Sequence, residues 1–186
     1  KGRETVWVDG PLTSAVRAGG ICYLDEVVEA RKDTTVILHP LSDDRRMLTV
    51  EKTGEELFAP DNFMLVISYN PGYQHILKDL KPSTRQRFIS LEFDYPPEDM
   101  EAEVVAVESG LSSDVAGRLV AAGRKMRRLV DSGLDSPPGT RLLVHAAALM
   151  KEGLGMKEAC EAAIIRPITD DADLHKAMVD MLDASF

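Results

Sequence analysis

Hydrophobic and polar positions follow two different periods along the chain, and the change lies near residue 96. Before it, short apolar runs alternate with helix-like segments. The runs "TVWV", "GICYL", "NFMLVIS" and "RFISLEF" predict strands, and "GICYL" is typical of a strand buried on both faces. "MLTVEKTGEELF" predicts a hairpin that turns at Lys52-Thr53-Gly54. "PLTSAVRAGG" and "DTTVILHPLSD" predict helices.

After Pro96-Pro97 no strand pattern remains, and five segments have helical spacing. Apolar residues at three- and four-residue steps mark one face of the second of these helices: Val115, Leu119, Ala122 and Met126. Asp135-Ser136 followed by Pro137-Pro138 predicts the start of another helix. We therefore predict an α/β domain over residues 1–95, with helices around a parallel sheet, and an all-α domain over residues 96–186.

Composition argues against several classes of protein: nucleic-acid binders, membrane-spanning proteins and metal hydrolases. The 186 residues are 44% hydrophobic and 28% charged, with a formal net charge of −9. This charge argues against a sequence-independent nucleic-acid binder, which would need a basic face. No apolar run approaches the roughly 20 residues of a membrane span. Cys22 and Cys160 have no metal-type spacing and predict buried, reduced thiols in a cytoplasmic protein. The scattered histidines argue against a metal hydrolase.

Two adjacent carboxylates, Asp25 and Glu26, end the apolar run "GICYL". In an open parallel sheet, ligands gather beyond the carboxyl ends of the strands. One acid at such an end can hold Mg²⁺, and the other can orient and polarise an attacking water. This is the Walker B pattern of ATPases. The alternative is a helix N-terminus that attracts acidic residues.

Three further features favour nucleotide chemistry, although each has a simpler alternative. Asn70 follows a second strand, where its amide can bond a γ-phosphate, or it is a turn residue. Arg85 and Arg87 precede the run "FISLEF", where an arginine can reach a neighbour's nucleotide, or they form surface ion pairs. Arg141 lies in the first turn of a predicted helix, where it can contact phosphates or remain solvated.

Taken in this order, the motifs resemble the AAA+ ATPases of the MoxR group, in particular the CbbQ/NirQ/NorQ subfamily. The resemblance lies in "WVDGPLTSAVRAGGICYLDEVVEARKDTTVILHPLSDDRR", "LVISYNPGYQ" and "LKDLKPSTRQRFISLEFDYPP". It implies an AAA+ P-loop core followed by a helical lid. It also implies a role for each matching residue: Asp25 binds Mg²⁺, Glu26 is the catalytic glutamate, Asn70 is sensor 1, Arg87 is the arginine finger with Arg85 as a second candidate, and Arg141 is sensor 2.

The same resemblance implies a homo-hexameric ring that uses ATP and Mg²⁺ to remodel a client. It implies a partner protein with a von Willebrand factor A domain. "YQHILKDLKPSTRQRF" favours the CbbQ type, a Rubisco activase that works with CbbO to release inhibitory sugar phosphates. The alternative is the NirQ or NorQ type, which activates nitric oxide reductase.

The sequence departs from this pattern because it contains no GxxxxGK[ST] phosphate loop. Without that loop the phosphates lose their main cradle, so the chain as written is expected to bind ATP poorly. We expect that upstream residues of a longer protein supply the loop. The alternative is a non-catalytic adaptor that binds a partner through a basic cluster on its helical half: Arg124, Lys125, Arg127 and Arg128.

Overall fold

The computed structural model describes residues 6–30, 32–70, 80–129, 134 and 136–183. The chain divides into two compact units, Lys1–Leu91 and Glu92–Phe186, and each is described by itself. The domain limits predicted above, 1–95 and 96–186, stay a prediction. None of the described helices is long and apolar enough to cross a membrane.

The first unit alternates helices and strands, as its hydrophobic pattern predicts. In chain order its elements are α1 (Pro11–Ala18), β1 (Ile21–Leu24), a 3-10 turn (Val27–Glu29), α2 (Lys32–Leu41), β2 (Met47–Val50), β3 (Glu55–Phe58), β4 (Met64–Ile67) and α3 (Pro82–Arg85). Pro11 begins α1, where its missing N–H costs nothing, and Gly19 ends α1 with a φ of 69°. Glycine adopts that left-handed angle without strain.

β1 and β4 form a parallel pair in the register Ile21↔Met64 to Leu24↔Ile67. The strand pair is buried on one face only, because Ile21, Tyr23 and Met64 are exposed while Cys22 is buried. The prediction that β1 is covered on both faces is therefore wrong for the described residues. The predicted hairpin is confirmed: β2 and β3 are antiparallel, with Met47 opposite Phe58.

Two predicted strands are absent from the part of the chain that the structure describes. Residues 6–10, the described part of the run "TVWVDG", have no regular structure, and the indole N–H of Trp7 donates to Asp9 instead. Residues 89–97 also have no regular structure. Ile89, Leu91 and Phe93 are 95%, 78% and 89% exposed. Their alternation is typical of a strand, but a strand needs a hydrogen-bonding neighbour, and no described strand pairs with these residues.

Small buried clusters hold the first unit together. One, between α1, β1, the hairpin and the loop before β4, consists of Val16, Cys22, Leu41, Leu48, Ala59 and Phe63. The other consists of Val27, Leu38 and Leu80. The second unit has a single, larger core.

Both cysteines are free and buried, as predicted, and burial raises the pKa of the Cys160 thiol to about 12.

The second unit is built from helices, as predicted: α4 (Glu98–Ser109), α5 (Ser113–Arg127), α6 (Thr140–Lys151), α7 (Met156–Cys160), a π-helical turn (Glu161–Ile165), α8 (Arg166–Ile168) and α9 (Ala172–Asp183). Ser112 caps α5 by accepting from the N–H of Val115. Of the predicted apolar face of α5, Leu119, Ala122 and Met126 are buried, and Val115 is half-buried.

The predicted start of α6 is too early. The helix begins at Thr140 with Gly139 as N-cap, so Pro137 and Pro138 precede it, and Asp135 lies outside the described residues. The carbonyl of Pro138 accepts a hydrogen bond of 2.8 Å from Nε of Arg127. This bond uses the proline carbonyl outside the helix and ties the start of α6 to the end of α5.

The charged group at the centre of this junction is Glu101 of α4, which is fully buried. Its two carboxylate oxygens accept from Nη1 and Nη2 of Arg127 at 2.8 and 2.6 Å, and Thr140 donates a third bond of 2.7 Å. The Arg127 guanidinium also stacks 3.6 Å from the ring centre of Tyr95. One ion pair thus joins α4, α5, α6 and the segment before α4.

Glu101 is ionised despite its burial. Desolvation favours the neutral acid, but hydrogen bonds from Arg127 and Thr140 and the charges of Arg127 and Arg124 outweigh it. The pKa of Glu101 therefore lies below its ordinary value of 4.5. Removing one partner of a buried ion pair leaves the other charge buried without compensation, which is strongly destabilising.

We expect Glu101→Gln to lower the free energy of unfolding by about 3 kcal/mol, because it leaves the Arg127 guanidinium buried without an anion. Urea unfolding followed by circular dichroism measures the change. Glu98→Gln is the matched control: Glu98 is exposed and pairs with Arg124 at 3.5 Å, so its loss should cost less than about 1 kcal/mol.

The pH dependence gives the same prediction a second check. Since the folded-state pKa of Glu101 is lowered, its carboxylate stabilises the fold above about pH 4.5, and that contribution falls as the pH drops through the lower folded value. The stability gap between wild type and Glu101→Gln should therefore be constant at higher pH and shrink below about pH 4.5. A gap that is the same at every pH would contradict this account.

Candidate functional site

The ends of the two parallel strands carry the candidate site. Because Leu24 pairs with Ile67, the residues that follow, Asp25 and Ser68, come out at the same edge. The Ser68 hydroxyl donates to Oδ1 of Asp25 at 2.5 Å, and the Tyr23 hydroxyl donates to the same oxygen at 3.0 Å. Two hydroxyls on neighbouring strands thus fix the direction of this carboxylate.

Glu26 lies beside Asp25 in an uncommon backbone conformation. Its φ of 51° is left-handed, which few non-glycine residues adopt outside turns and functional sites. The backbone N–H of Glu26 faces Oγ of Ser68 at 3.3 Å, and the N–H of Val27 donates to the carbonyl of Ser68. These bonds to Ser68 hold the left-handed backbone, so the Glu26 side chain projects from a fixed turn.

Asn70 meets Glu26 at this edge. Its side-chain Nδ2 lies 3.4 Å from Oε1 of Glu26, and both side chains are exposed. The structure therefore brings together three of the predicted site residues, Asp25, Glu26 and Asn70. The predicted turn after Asn70 falls on residues 71–79, which lie outside the described residues.

The oxygen atoms at this edge suit a hard cation such as Mg²⁺ in type but are too few to hold it alone. Asp25, Glu26 and Ser68 offer oxygen atoms alone, which Mg²⁺ prefers. Among the described residues, no three His, Cys, Asp or Glu side chains are grouped to hold a metal. Mg²⁺ is usually held by one or two carboxylates with phosphates and waters, so this donor set fits an ion that arrives with a phosphate ligand.

The two candidate finger residues lie on α3 and the turn after it. A hydrogen bond of 2.8 Å between Nε2 of His39 on α2 and the buried hydroxyl of Thr84 fixes α3. Arg85 is exposed. Arg87 is half-buried, donates from Nη1 to the carbonyl of Ser83, and has Nε 3.8 Å from Oδ2 of Asp43. No described hydrogen bond or ion pair joins either arginine to Asp25, Glu26 or Asn70.

Arg141 belongs to the second unit. It is an exposed residue in the first turn of α6, as predicted, directly after Thr140, which is bonded to Glu101. The basic cluster considered for an adaptor is in the same unit. Arg127 is only 9% exposed and pairs with Glu101, and Arg124 pairs with Glu98 and Glu101. Two of its four charges are thus engaged within the fold, and the adaptor alternative stays a prediction.

Ser68 and Tyr23 are site residues that sequence reasoning missed. Both stand in the stretches that carry the family resemblance, but no role was assigned to them, and their hydroxyls matter because β1 and β4 are neighbours in this register. Spacing along the sequence gives no signal for this contact, because it depends on which strands are neighbours and in what register. Asp43, which contacts Arg87, lies in a loop with no recognisable pattern.

Comparison with known proteins then decides the family. The chain is 58% identical to Protein NorQ of Paracoccus denitrificans over all 186 residues, which cover 69% of that protein. The chain belongs to the CbbQ/NirQ/NorQ family. The family model "CbbQ/NirQ/NorQ C-terminal" matches residues 101–185, and the model "AAA domain (dynein-related subfamily)" matches residues 1–88.

Other members of the CbbQ/NirQ/NorQ family are about as similar. The chain is 56% identical to the denitrification regulatory protein NirQ of Pseudomonas aeruginosa over 96% of its length, covering 69% of that protein. It is 55% identical to Protein CbbQ of Hydrogenophilus thermoluteolus over 94% of its length, covering 65% of that protein. The chain thus spans about two thirds of the length of these relatives. The predicted fold, a AAA+ core followed by a helical part, is confirmed.

The bonds around Asp25 give a testable prediction. Ser68→Ala removes the hydroxyl that links Asp25 to Glu26, so we expect it to lower ATP turnover of the complete protein about tenfold, because misplaced catalytic groups lose rate steeply. Steady-state ATP hydrolysis measures the change. Ser14→Ala, an exposed serine of α1, is the matched control and should leave turnover unchanged. Equal turnover in both variants would remove Ser68 from the site.

Proposed function

We propose that this chain is part of an ATP-driven remodelling motor whose hydrolytic centre lies at the carboxyl ends of β1 and β4. The observation that supports the proposal is the meeting of Glu26 and Asn70, 3.4 Å apart, beside an Asp25 held by two hydroxyls. Membership of a AAA family supplies the expectation of a nucleotide. Sites of this kind gather beyond the carboxyl ends of parallel strands.

Each residue has a proposed task. Asp25, fixed by Ser68 and Tyr23, holds Mg²⁺ directly or through a water. Glu26 orients and polarises the water that attacks the γ-phosphate, and its fixed turn limits the positions that its carboxylate can take. Asn70 contacts Glu26 and can donate to a phosphate oxygen without adding negative charge. Bound Mg²⁺ neutralises part of the charge on the phosphates.

Arg87 is proposed to act on the nucleotide of a neighbouring subunit, with Arg85 as the second candidate. A cation placed across an interface stabilises the charge that develops during phosphoryl transfer. We propose Arg141 as sensor 2, a phosphate contact from the helical unit. The proposed assembly is a cytoplasmic homo-hexamer that works with a von Willebrand factor A protein.

The central experiment uses Glu26→Gln in the complete protein. Because glutamine keeps the shape but cannot accept a proton, we expect nucleotide affinity to be retained and ATP turnover to fall at least about a hundredfold. Turnover and binding of a fluorescent ATP analogue are measured together. Glu29→Gln, three residues further on, is the matched control and should behave as wild type. Wild-type turnover in Glu26→Gln would exclude Glu26 from catalysis.

Mixing of variants tests the shared site. Arg87→Ala should be inactive alone and should regain activity when mixed with Glu26→Gln, since a mixed ring builds some interfaces with an intact Glu26 and an intact Arg87. If no ratio restores activity, Arg87 does not act across subunits. The same mixture made with Arg85→Ala separates the two arginines.

The client, the protein that the motor remodels, has two candidates that follow from the family. The sequence favours Rubisco as the client, with CbbO as the partner. The identities of 58% to NorQ and 56% to NirQ, against 55% to CbbQ, make a denitrification role an equal candidate. In that role the client is nitric oxide reductase. Part of the stretch that favours Rubisco, residues 73–79, lies outside the described residues.

A parallel activation assay decides between the clients. The complete protein, a von Willebrand factor A partner and ATP are added to Rubisco carrying an inhibitory sugar phosphate and, separately, to inactive nitric oxide reductase. We expect one enzyme to regain activity and the other to remain inactive. Glu26→Gln is the control and should activate neither. Restoration of Rubisco alone identifies a CbbQ-type motor, and restoration of the reductase alone identifies a NorQ-type motor.

A further inference from the structure

Asp43 lies in the loop between α2 and β2, and its carboxylate is held from one side by Arg45. Nε of Arg45 donates to Oδ1 at 3.0 Å, Nη2 donates to Oδ2 at 2.7 Å, and the backbone N–H of Arg45 donates to Oδ1 at 3.1 Å. These bonds from Arg45 hold the pKa of Asp43 at about 2. Asp43 is therefore a fixed anion at every physiological pH.

This fixed anion faces Arg87. Nε of Arg87 lies 3.8 Å from Oδ2 of Asp43, too far for a hydrogen bond but within ion-pair range. The same Nε atom is buried and has no hydrogen-bond acceptor in the described part of the chain. A buried N–H of a cation without an acceptor is costly. The charge of Asp43 is the compensation that the described residues supply.

The remaining contact of Arg87 is on the other side of its guanidinium. Nη1 donates to the carbonyl of Ser83, one turn earlier. Among the described residues, no atom is bonded to Nη2. Nε and Nη1, on different sides of the guanidinium, thus each have a contact within the chain, and Nη2 has no hydrogen bond to a described residue.

We propose that Asp43 is a positioning residue for Arg87, whose guanidinium it holds in place for action on the nucleotide of a neighbouring subunit. The inference rests on the proposed function of Arg87. An arginine has several rotatable bonds, and fixing it before the reaction removes an entropic cost from the step in which it acts. Arg45 serves this arrangement indirectly, because it fixes the carboxylate of Asp43.

The test is Asp43→Asn in the complete protein. Asparagine keeps the size of the side chain and can still accept from Arg45, but it removes the charge that faces Arg87. We expect kcat for ATP to fall about tenfold with KM unchanged, and the affinity for a fluorescent ATP analogue to stay at the wild-type value, since the subunit's own pocket is intact. Asp44→Asn, an exposed carboxylate next in sequence, is the matched control and should leave kcat unchanged.

Mixing with other variants separates positioning from general damage. If Asp43 acts through Arg87, adding excess Glu26→Gln subunits should raise the activity per Asp43→Asn subunit several-fold, because those subunits contribute an intact Arg87. Adding Arg87→Ala subunits should not raise it. Asp43→Glu keeps the charge but moves the carboxylate, so its activity should also rise with Glu26→Gln subunits and not with Arg87→Ala subunits. This variant replaces Asp43→Asn in the test if Asp43→Asn folds poorly.

The outcomes distinguish this inference from the proposed function. If Arg87→Ala is rescued by Glu26→Gln but Asp43→Asn and Asp43→Glu are not, or if both Asp43 variants have wild-type kcat, Asp43 does not position Arg87. If Arg87→Ala itself is not rescued, the shared site is wrong and the inference falls with it. A rise in KM with unchanged kcat would place Asp43 in ground-state binding and would also contradict it.

Discussion

The parallel pairing of β1 with β4 determines where the side chains of the candidate site lie. Leu24 is opposite Ile67, so Asp25 and Ser68 leave the sheet together and their side chains bond. A register shift of one residue would turn every side chain of one strand to the other face. The apolar face that packs on Val16 and Phe63 prevents such a shift, so the burial of Cys22 and the direction of Asp25 depend on the same pairing.

In the helical unit, a buried ion pair between Glu101 and Arg127 fixes the arrangement of the helices. Glu101 and Arg127 meet inside the bundle, and their contacts to Thr140, Tyr95 and Pro138 join α4 and the segment before it to α5 and to the start of α6. Apolar packing alone tolerates sliding of helices, whereas a bidentate pair with satisfied hydrogen bonds permits one arrangement. Thr140, one residue before Arg141, donates to the buried carboxylate of Glu101. The first turn of α6, which carries Arg141, is therefore held in place.

Much of the fold was predictable because local patterns carry it. The periods of two and of three to four residues located the hairpin, β1, β4 and the helical half. The predictions failed where secondary structure or burial depends on a neighbouring element. Residues 89–97 have the alternation of a strand but no described partner strand. β1 is covered on one face only. Asp25, Glu26 and Asn70 could be placed at strand ends from spacing alone. Ser68 and Asp43 could not, because only the folded chain brings Ser68 to Asp25 and Asp43 to Arg87.

The two cysteines also have a consequence for experiments on the molecule. Cys22 is buried in the first unit and Cys160 in the second, and burial raises the pKa of each thiol. Alkylating reagents attack the exposed thiolate, so each sulfur can react only when its own surroundings open. The chain thus contains one native reporter of local opening in each unit, and a time course of thiol modification read by mass spectrometry distinguishes the unit that loosens first.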